Sequence, residues 1–138
     1  MNILLVDDHH ILLDGIRFML LQNLDSSEIF TAKTVEEAIL ILKKQQVDLV
    51  VSDISIPEIG GIAFAKKLKT VHPQIKVIFL SMHEEPHLVK DALATGVEGY
   101  VLKKNSHLDL LFAIEEVMKG QLYFSPEIHR ILINRLRF

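Results

Sequence analysis

Five short apolar runs, each followed by a stretch of about a dozen residues with helical periodicity, narrow the possible folds of this chain more than any other feature. The runs occupy residues 3–6, 28–32, 48–52, 76–80 and 99–102. Four of them are continuous, as in Val77-Ile78-Phe79-Leu80, and read as strands buried on both faces. The run at 28–32 is less apolar, which places it at a sheet edge. Between them, Leu12, Ile16, Met19 and Leu20, then Ala38, Ile39 and Leu42, then Ile62, Ala65 and Leu68, recur at the spacing of one helix face. Connections of this length join parallel strands, so the alternation predicts an α/β fold with a doubly wound, five-stranded parallel sheet.

Local signals agree with these boundaries. Thr34 followed by Glu37 is a capping-box pattern, Asn23 is placed as a helix C-terminal residue, Pro73 stops the third helix, and Pro86 opens the fourth. Gly96 and Gly120 fall just past helix ends, and Ser106 with Asp109 three residues on starts the fifth helix. Lys66, Lys67 and Lys69 read as a solvated face. Residues 121–138 are surplus to the five units: Tyr123-Phe124 is a short extended piece, and Ser125-Pro126 opens a further helix. Its apolar side, Ile128, Ile131, Leu132 and Leu136, faces away from Arg130, Asn134 and Arg137. That stripe needs cover from the rest of the chain, a second copy or another domain. The division expected is therefore 1–120 for the main domain and 121–138 for a linker and C-terminal helix.

At 49% hydrophobic and 24% charged residues, the 138-residue chain can bury a proper core. A net charge of -3 gives no general attraction to nucleic acid or anionic membrane. The absence of cysteine excludes a disulfide scaffold and thiolate zinc sites. The N-terminal apolar run has no basic flank and is cut off by Asp7-Asp8, and no stretch reaches transmembrane length, so a cytoplasmic location is expected.

Strands of one parallel sheet point the same way, so Asp7, Asp8, Asp53, Ser81 and Lys103, each at a strand's carboxyl end, are expected at one edge. That edge is where open α/β sheets bind ligands. Two carboxylates about 4 Å apart repel by roughly 4 kcal/mol at an effective dielectric of 20, so three need a cation to share a cleft. All-oxygen ligation points to Mg²⁺, which keeps several waters that a phosphate can replace. Lys103 supplies a point charge and Ser81 a hydroxyl suited to phosphoryl oxygens.

The sequence resembles the receiver domains of bacterial two-component response regulators. The resemblance covers residues 2 to about 120. It rests on Val6-Asp7-Asp8-His9, Asp53 with Ile56-Pro57 and Gly60-Gly61, Leu80-Ser81-Met82-His83, and Tyr100-Val101-Leu102-Lys103. It implies a flavodoxin-like sheet of order 2-1-3-4-5. It also implies that Asp53 accepts a phosphoryl group from a phosphohistidine on a sensor histidine kinase. Mg²⁺ would be held by Asp7, Asp8, Asp53 and the backbone carbonyl of Ser55, while Lys103 and Ser81 bind the phosphoryl oxygens. Ser81 and Tyr100 would form a switch controlling dimerisation and transcriptional output. The expected role is signalling, with self-catalysed phosphoryl transfer and autodephosphorylation only, not that of a typical enzyme. Asp14-Gly15-Ile16 and the 120–127 segment are similar to the NarL/FixJ (LuxR-type) subfamily. There a helix-turn-helix domain follows the receiver, so DNA would be reached only through a domain absent from this chain.

Two departures from the family pattern stand out. Lys104 replaces a frequent proline after the lysine, and Leu13 replaces a frequent charged residue, which is expected to alter surface contacts of the first helix. His83, two residues past Ser81, is placed to influence water access to the phosphoryl group. Solvated loop positions are expected for the other histidines near the acids, His9 and His10. An FMN site fails on charge, because Asp7-Asp8 would repel its phosphate, and a phosphohydrolase needs a cap region for which there is little room. A phosphorylation-independent interaction module remains the alternative.

Overall fold

The computed structural model describes residues 1–25, 27–57, 59–105 and 107–136. Six strands and six helices alternate: β1 (Asn2–Val6), α1 (His10–Asn23), β2 (Glu28–Ala32), α2 (Val35–Lys44), β3 (Leu49–Ser52), α3 (Gly61–Val71), β4 (Lys76–Ser81), α4 (Pro86–Leu93), β5 (Gly99–Leu102), α5 (His107–Met118), β6 (Tyr123–Phe124) and α6 (Pro126–Leu136). All pairings are parallel, in the order β2-β1-β3-β4-β5-β6. The expected sheet therefore gains a strand: it has six, not five. Tyr123-Phe124 joins β5 through backbone bonds alone, with Tyr123 N–H donating to Glu98 O at 3.0 Å and Ser125 N–H to Tyr100 O at 2.9 Å. Two half-buried residues carry no alternation that would betray a strand.

Because successive strand residues face opposite ways, each central strand feeds two cores. Leu4, Val6, Val50, Val77 and Phe79 pack towards α2, α3, α4 and α6, while Ile3, Leu5, Val51, Ile78 and Leu80 pack towards α1 and α5. The β2 strand sits at the edge, with an exposed first residue, as its mixed composition predicts. At the start of α2, Thr34 Oγ1 accepts from Glu37 N–H at 3.1 Å and the Glu37 carboxylate accepts from Lys33 N–H at 2.7 Å. A cap of this kind is worth about 1 kcal/mol.

Two surface expectations are corrected. Leu13 is not a surface residue: it is 3% exposed and packs in the core beneath α1 with Ile16 and Leu20. Lys69 turns inward from α3 rather than outward, pairing with Glu98 and donating to Ile75 O at 2.9 Å. Glu98 in turn accepts from Val77 N–H at 2.9 Å, so a single charged pair ties α3 to the β4–β5 edge. Asn23 ends α1 as a helical residue, its amide donating back to Met19 O, and Leu24 beyond it is extended. The Lys103–Lys104 peptide is trans. The expectations placed on Ser106, Arg137 and the Leu136 side chain lie outside the described residues.

Among the described residues, three of the four positions of the C-terminal apolar stripe are covered by the chain itself. Ile128 is fully buried in the same core as Tyr100, and Ile131 and Leu132 pack against it. Asp109 on α5 accepts from Ser125 Oγ at 2.9 Å, from Asn105 Nδ2 at 3.0 Å and from the Tyr123 hydroxyl. Ser125 Oγ also accepts from Leu102 N–H at 3.1 Å. The extension is thus bonded to the end of β5.

Candidate functional site

Strand register assembles the site. Val6 stands beside Ser52 and Ser81 beside Leu102, so the residues that follow each strand emerge at one edge. Asp7 N–H donates to Ala32 O, Asp53 N–H to Val6 O at 2.9 Å and Lys103 N–H to Ser81 O at 2.8 Å, which fixes the backbone under each side chain. Asp7 and Asp53 are buried carboxylates, 4% and 3% exposed, whereas Asp8 faces solvent. The Lys103 ammonium lies between the two buried acids, 2.6 Å from Asp7 Oδ2 and 3.1 Å from Asp53 Oδ2.

One oxygen in this cluster is incompletely satisfied. Asp7 Oδ2 is buried and has no hydrogen-bond partner, although it is within charge-pairing distance of Lys103. The distance measures attraction and the missing bond measures direction. The lysine therefore neutralises Asp7 without using up its lone pairs. Asp7, Asp8, His9 and Asp53 each offer an atom within 4.8 Å of the others. Three carboxylates against one ammonium leave a formal charge of -2, which a divalent cation balances; the donor set fits such an ion.

His9 is more than a solvated loop residue. It precedes α1 as its N-cap, and both its backbone N–H (2.9 Å) and its ring Nδ1 (2.7 Å) reach Asp7 Oδ1. A carboxylate only accepts, so Nδ1 carries the proton, and the two donors hold one Asp7 oxygen while the other lies beside Lys103. Sequence reasoning quoted His9 in the acidic motif but gave it no task; its adjacency to Asp8 was the available signal.

The loops above the acids close on one another. Gly60, at φ 85°, and Gly61 bring the start of α3 back against the strand end, where Gly61 N–H donates to Ile54 O at 2.7 Å. A Cβ on Gly61 would lie 2.1 Å from Asp53 O, so only glycine fits. Ser55 N–H donates to Asp53 Oδ1 at 3.1 Å. Ser55 Oγ lies 2.8 Å from His83 Nε2, and His83 Nδ1 lies 3.2 Å from Glu85 Oε2. His83 therefore joins the loop after β3 to the loop after β4.

Ser81 is fully buried, and its Oγ accepts from His83 N–H at 3.0 Å. Tyr100 is also fully buried, its ring edge-to-face with Phe79 at a centroid separation of 6.2 Å, and its hydroxyl donates to His83 O at 2.7 Å. Burial pushes the Tyr100 phenol up to about 12, with a smaller opposing effect of Ser81. The predicted site residues thus separate into two groups: Asp7, Asp8, Asp53 and Lys103 meet directly, while Ser81 and Tyr100 are connected to one another through the backbone of His83.

The family described as the response regulator receiver domain matches residues 3–115. The chain belongs to that family. Among curated relatives, this receiver is similar to the transcriptional regulatory protein DegU of Brevibacillus brevis, 28% identical over 136 residues, covering 99% of this chain and 58% of the relative. The chain spans about three fifths of the length of such relatives. Among solved structures, a LuxR-family response regulator from Aurantimonas sp. superposes with a TM-score of 0.89 at 28% identity, covering 98% of this chain and 97% of that one. The isolated receiver domain of RcsB from Salmonella enterica, determined with the phosphomimetic BeF3-, gives 0.83 at 29% identity, covering 95% and 97%. The receiver is thus a signalling domain, and among its described residues no helix is long and apolar enough to cross a membrane.

Proposed function

We propose that Asp53 is the phosphoacceptor of a two-component relay and takes its phosphoryl group from a phosphohistidine of a sensor histidine kinase. The observation that carries this reading is the buried pair Asp7 and Asp53 sharing one lysine in a cleft of formal charge -2. An Asp53 oxygen attacks phosphorus, the bond from phosphorus to the donor imidazole nitrogen breaks, and that nitrogen keeps the electron pair. Such a transfer needs positioning and charge neutralisation rather than covalent help from other residues. Lys103 supplies positive charge beside the acceptor oxygen. Asp7, Asp8, Asp53 and the Ser55 backbone carbonyl would hold Mg²⁺, which when bound supplies the remaining neutralisation of the transferring group.

Ser81 is one hydrogen bond from His83, and Tyr100 is another. If Ser81 Oγ turns to a phosphoryl oxygen, it releases the His83 amide, and the loop that carries the carbonyl bonded by Tyr100 is freed with it. The rearrangement then reaches residues 121–138, which we assign as a linker toward an output domain that contacts DNA; its described part pairs with β5 and packs against α4. The exposed apolar residue Ile11, in the first turn of α1, gives the kinase or a second receiver a contact beside the site, and Phe18 and Leu21 extend that apolar surface along the helix away from it. This reading places the protein in the cytoplasm.

Incubation with Mg²⁺ and acetyl phosphate, read by intact mass, is expected to add one phosphoryl group to the parent protein and none to Asp53→Asn. A gain that persists in the variant removes Asp53 as acceptor. No gain in the parent favours a phosphorylation-independent interaction module.

A further inference from the structure

A second surface lies away from the acidic cleft. Helices crossing back from a parallel strand end at the sheet's opposite edge, so the C-terminal ends of α2 and α3 are remote from Asp53. Between these two helices runs a groove of about 230 Å³. Its apolar lining includes Ile39 and Leu42 from α2 and Leu68 and Val71 from α3, with Lys43 on one wall and Lys67 on the other. Val71 is 59% exposed at the groove, and Leu40 on the outer face of α2 is 55% exposed in an adjoining hollow that Glu36 and Glu37 also line.

Only one of the two lysines is explained by the helix that carries it. Lys43 sits in the last turn of α2, where it complements the helix dipole, but Lys67 lies in the middle of α3, where that effect has faded. Among the described residues neither forms an ion pair, whereas neighbouring Lys69 is tied to Glu98. No acid lines the groove. The nearest acids on α2, Glu36 and Glu37, are in its first turn, about 10 Å along the axis from Lys43 at 1.5 Å per residue; they line an adjoining hollow that shares Ile39 and Lys43 with the groove, so Lys67 is the cation farther from them. The chain as a whole is acidic, which makes a cationic apolar groove a local feature.

We propose that the α2–α3 groove docks an amphipathic helix of a protein partner, with apolar anchors flanked by acidic side chains. The volume is below the 300 Å³ at which small-molecule sites begin, yet it suits one or two anchor side chains of a helix laid lengthwise. Apolar anchors supply the affinity, and the acids set register by pairing with Lys43 and Lys67 on opposite walls. The proposal does not depend on phosphorylation of Asp53.

The test uses the ¹⁵N-labelled protein and three helix-stapled peptides. The first carries leucines at i, i+4 and i+7 with flanking glutamates, the second replaces the glutamates with lysines, and the third replaces the leucines with serines. The glutamate peptide is expected to give saturable amide shifts confined to residues 39–43 and 64–72. The other two should bind at least about tenfold more weakly. Lys43→Glu with Lys67→Glu, both exposed changes, should reverse the charge preference while leaving shifts outside the groove unchanged. Lys43→Ala with Lys67→Ala should abolish that preference. The proposal is overturned by no saturable shifts, by equal binding of the glutamate and lysine peptides, or by shifts elsewhere. Binding to phosphatidylglycerol vesicles without peptide selectivity would make this a membrane surface and overturn it equally.

Discussion

Replacing Lys103 with methionine isolates what the lysine does for the cleft, because the apolar stem is kept and only the charge is lost. Lys103, Asp7 and Asp53 side chains are 9%, 5% and 4% exposed, so solvent screens their attractions little. At an effective dielectric of 20, charges 2.6 Å and 3.1 Å apart attract by about 6 and about 5 kcal/mol. Most of that offsets the cost of removing three charges from water, and breaking such a buried pair costs about 3–5 kcal/mol net. With a urea slope of roughly 1.5 kcal/mol per molar, the midpoint of Lys103→Met in EDTA should fall by about 2–3 M. The cleft's formal charge drops from -2 to -3, so a divalent cation should bind the variant more tightly. A tenfold gain contributes a further 1.4 kcal/mol or so at saturation. The assay is urea unfolding of both proteins in EDTA and in excess Mg²⁺. Equal midpoints in EDTA, or the same Mg²⁺ stabilisation in both, would refute the charge argument.

Other outcomes test separate parts of the structure. Gly61→Ala drives a Cβ to 2.1 Å from Asp53 O and should cost about 1–3 kcal/mol and weaken Mg²⁺-linked stabilisation. Gly15→Ala, where nothing lies within 4 Å, should instead stabilise by about 0.4–1 kcal/mol, measured by the same unfolding curves. Alkaline pH probes Tyr100, whose pKa is raised from 10.0 to about 12, chiefly by burial. Below pH 10 neither state ionises and stability is unaffected; between pH 10 and 12 the unfolded chain loses the proton that the folded one keeps. Stability should therefore fall by up to about 3 kcal/mol. Tyr100→Phe should flatten much of that slope, leaving the share of Tyr123, which is also raised to about 12 by burial and its bond to Asp109.

What the residues revealed in advance follows from how each signal is encoded. The central strands announced themselves because burial on both faces demands uninterrupted apolar runs, and Val50-Val51 or Ile78-Phe79 have no polar alternative. The sixth strand left no such trace, since Tyr123-Phe124 is too short to show a pattern and pairs with β5 through backbone groups that are the same in every sequence. Leu13 and Lys69 were misplaced for a related reason. Leu12 and Leu13 both fit a helical stripe, and only the docking angle of α1 buries the second; Lys69 follows Lys66 and Lys67 but finds Glu98 29 residues away.

The acidic site was legible because a parallel sheet converts sequence position into spatial position. Once Asp7, Asp53 and Lys103 are each the first residue beyond a strand, register alone brings them together. The second layer does not work that way. His9, His83 and Ser55 act from loops, where no register applies, and their partners are set by side-chain reach across the cleft. That division has a mechanical sense. Asp7, Asp53 and Lys103 stand one residue past hydrogen-bonded strands and Ser81 and Tyr100 stand within β4 and β5, whereas His83, whose backbone N–H and carbonyl bond the two hydroxyls, belongs to the loop after β4.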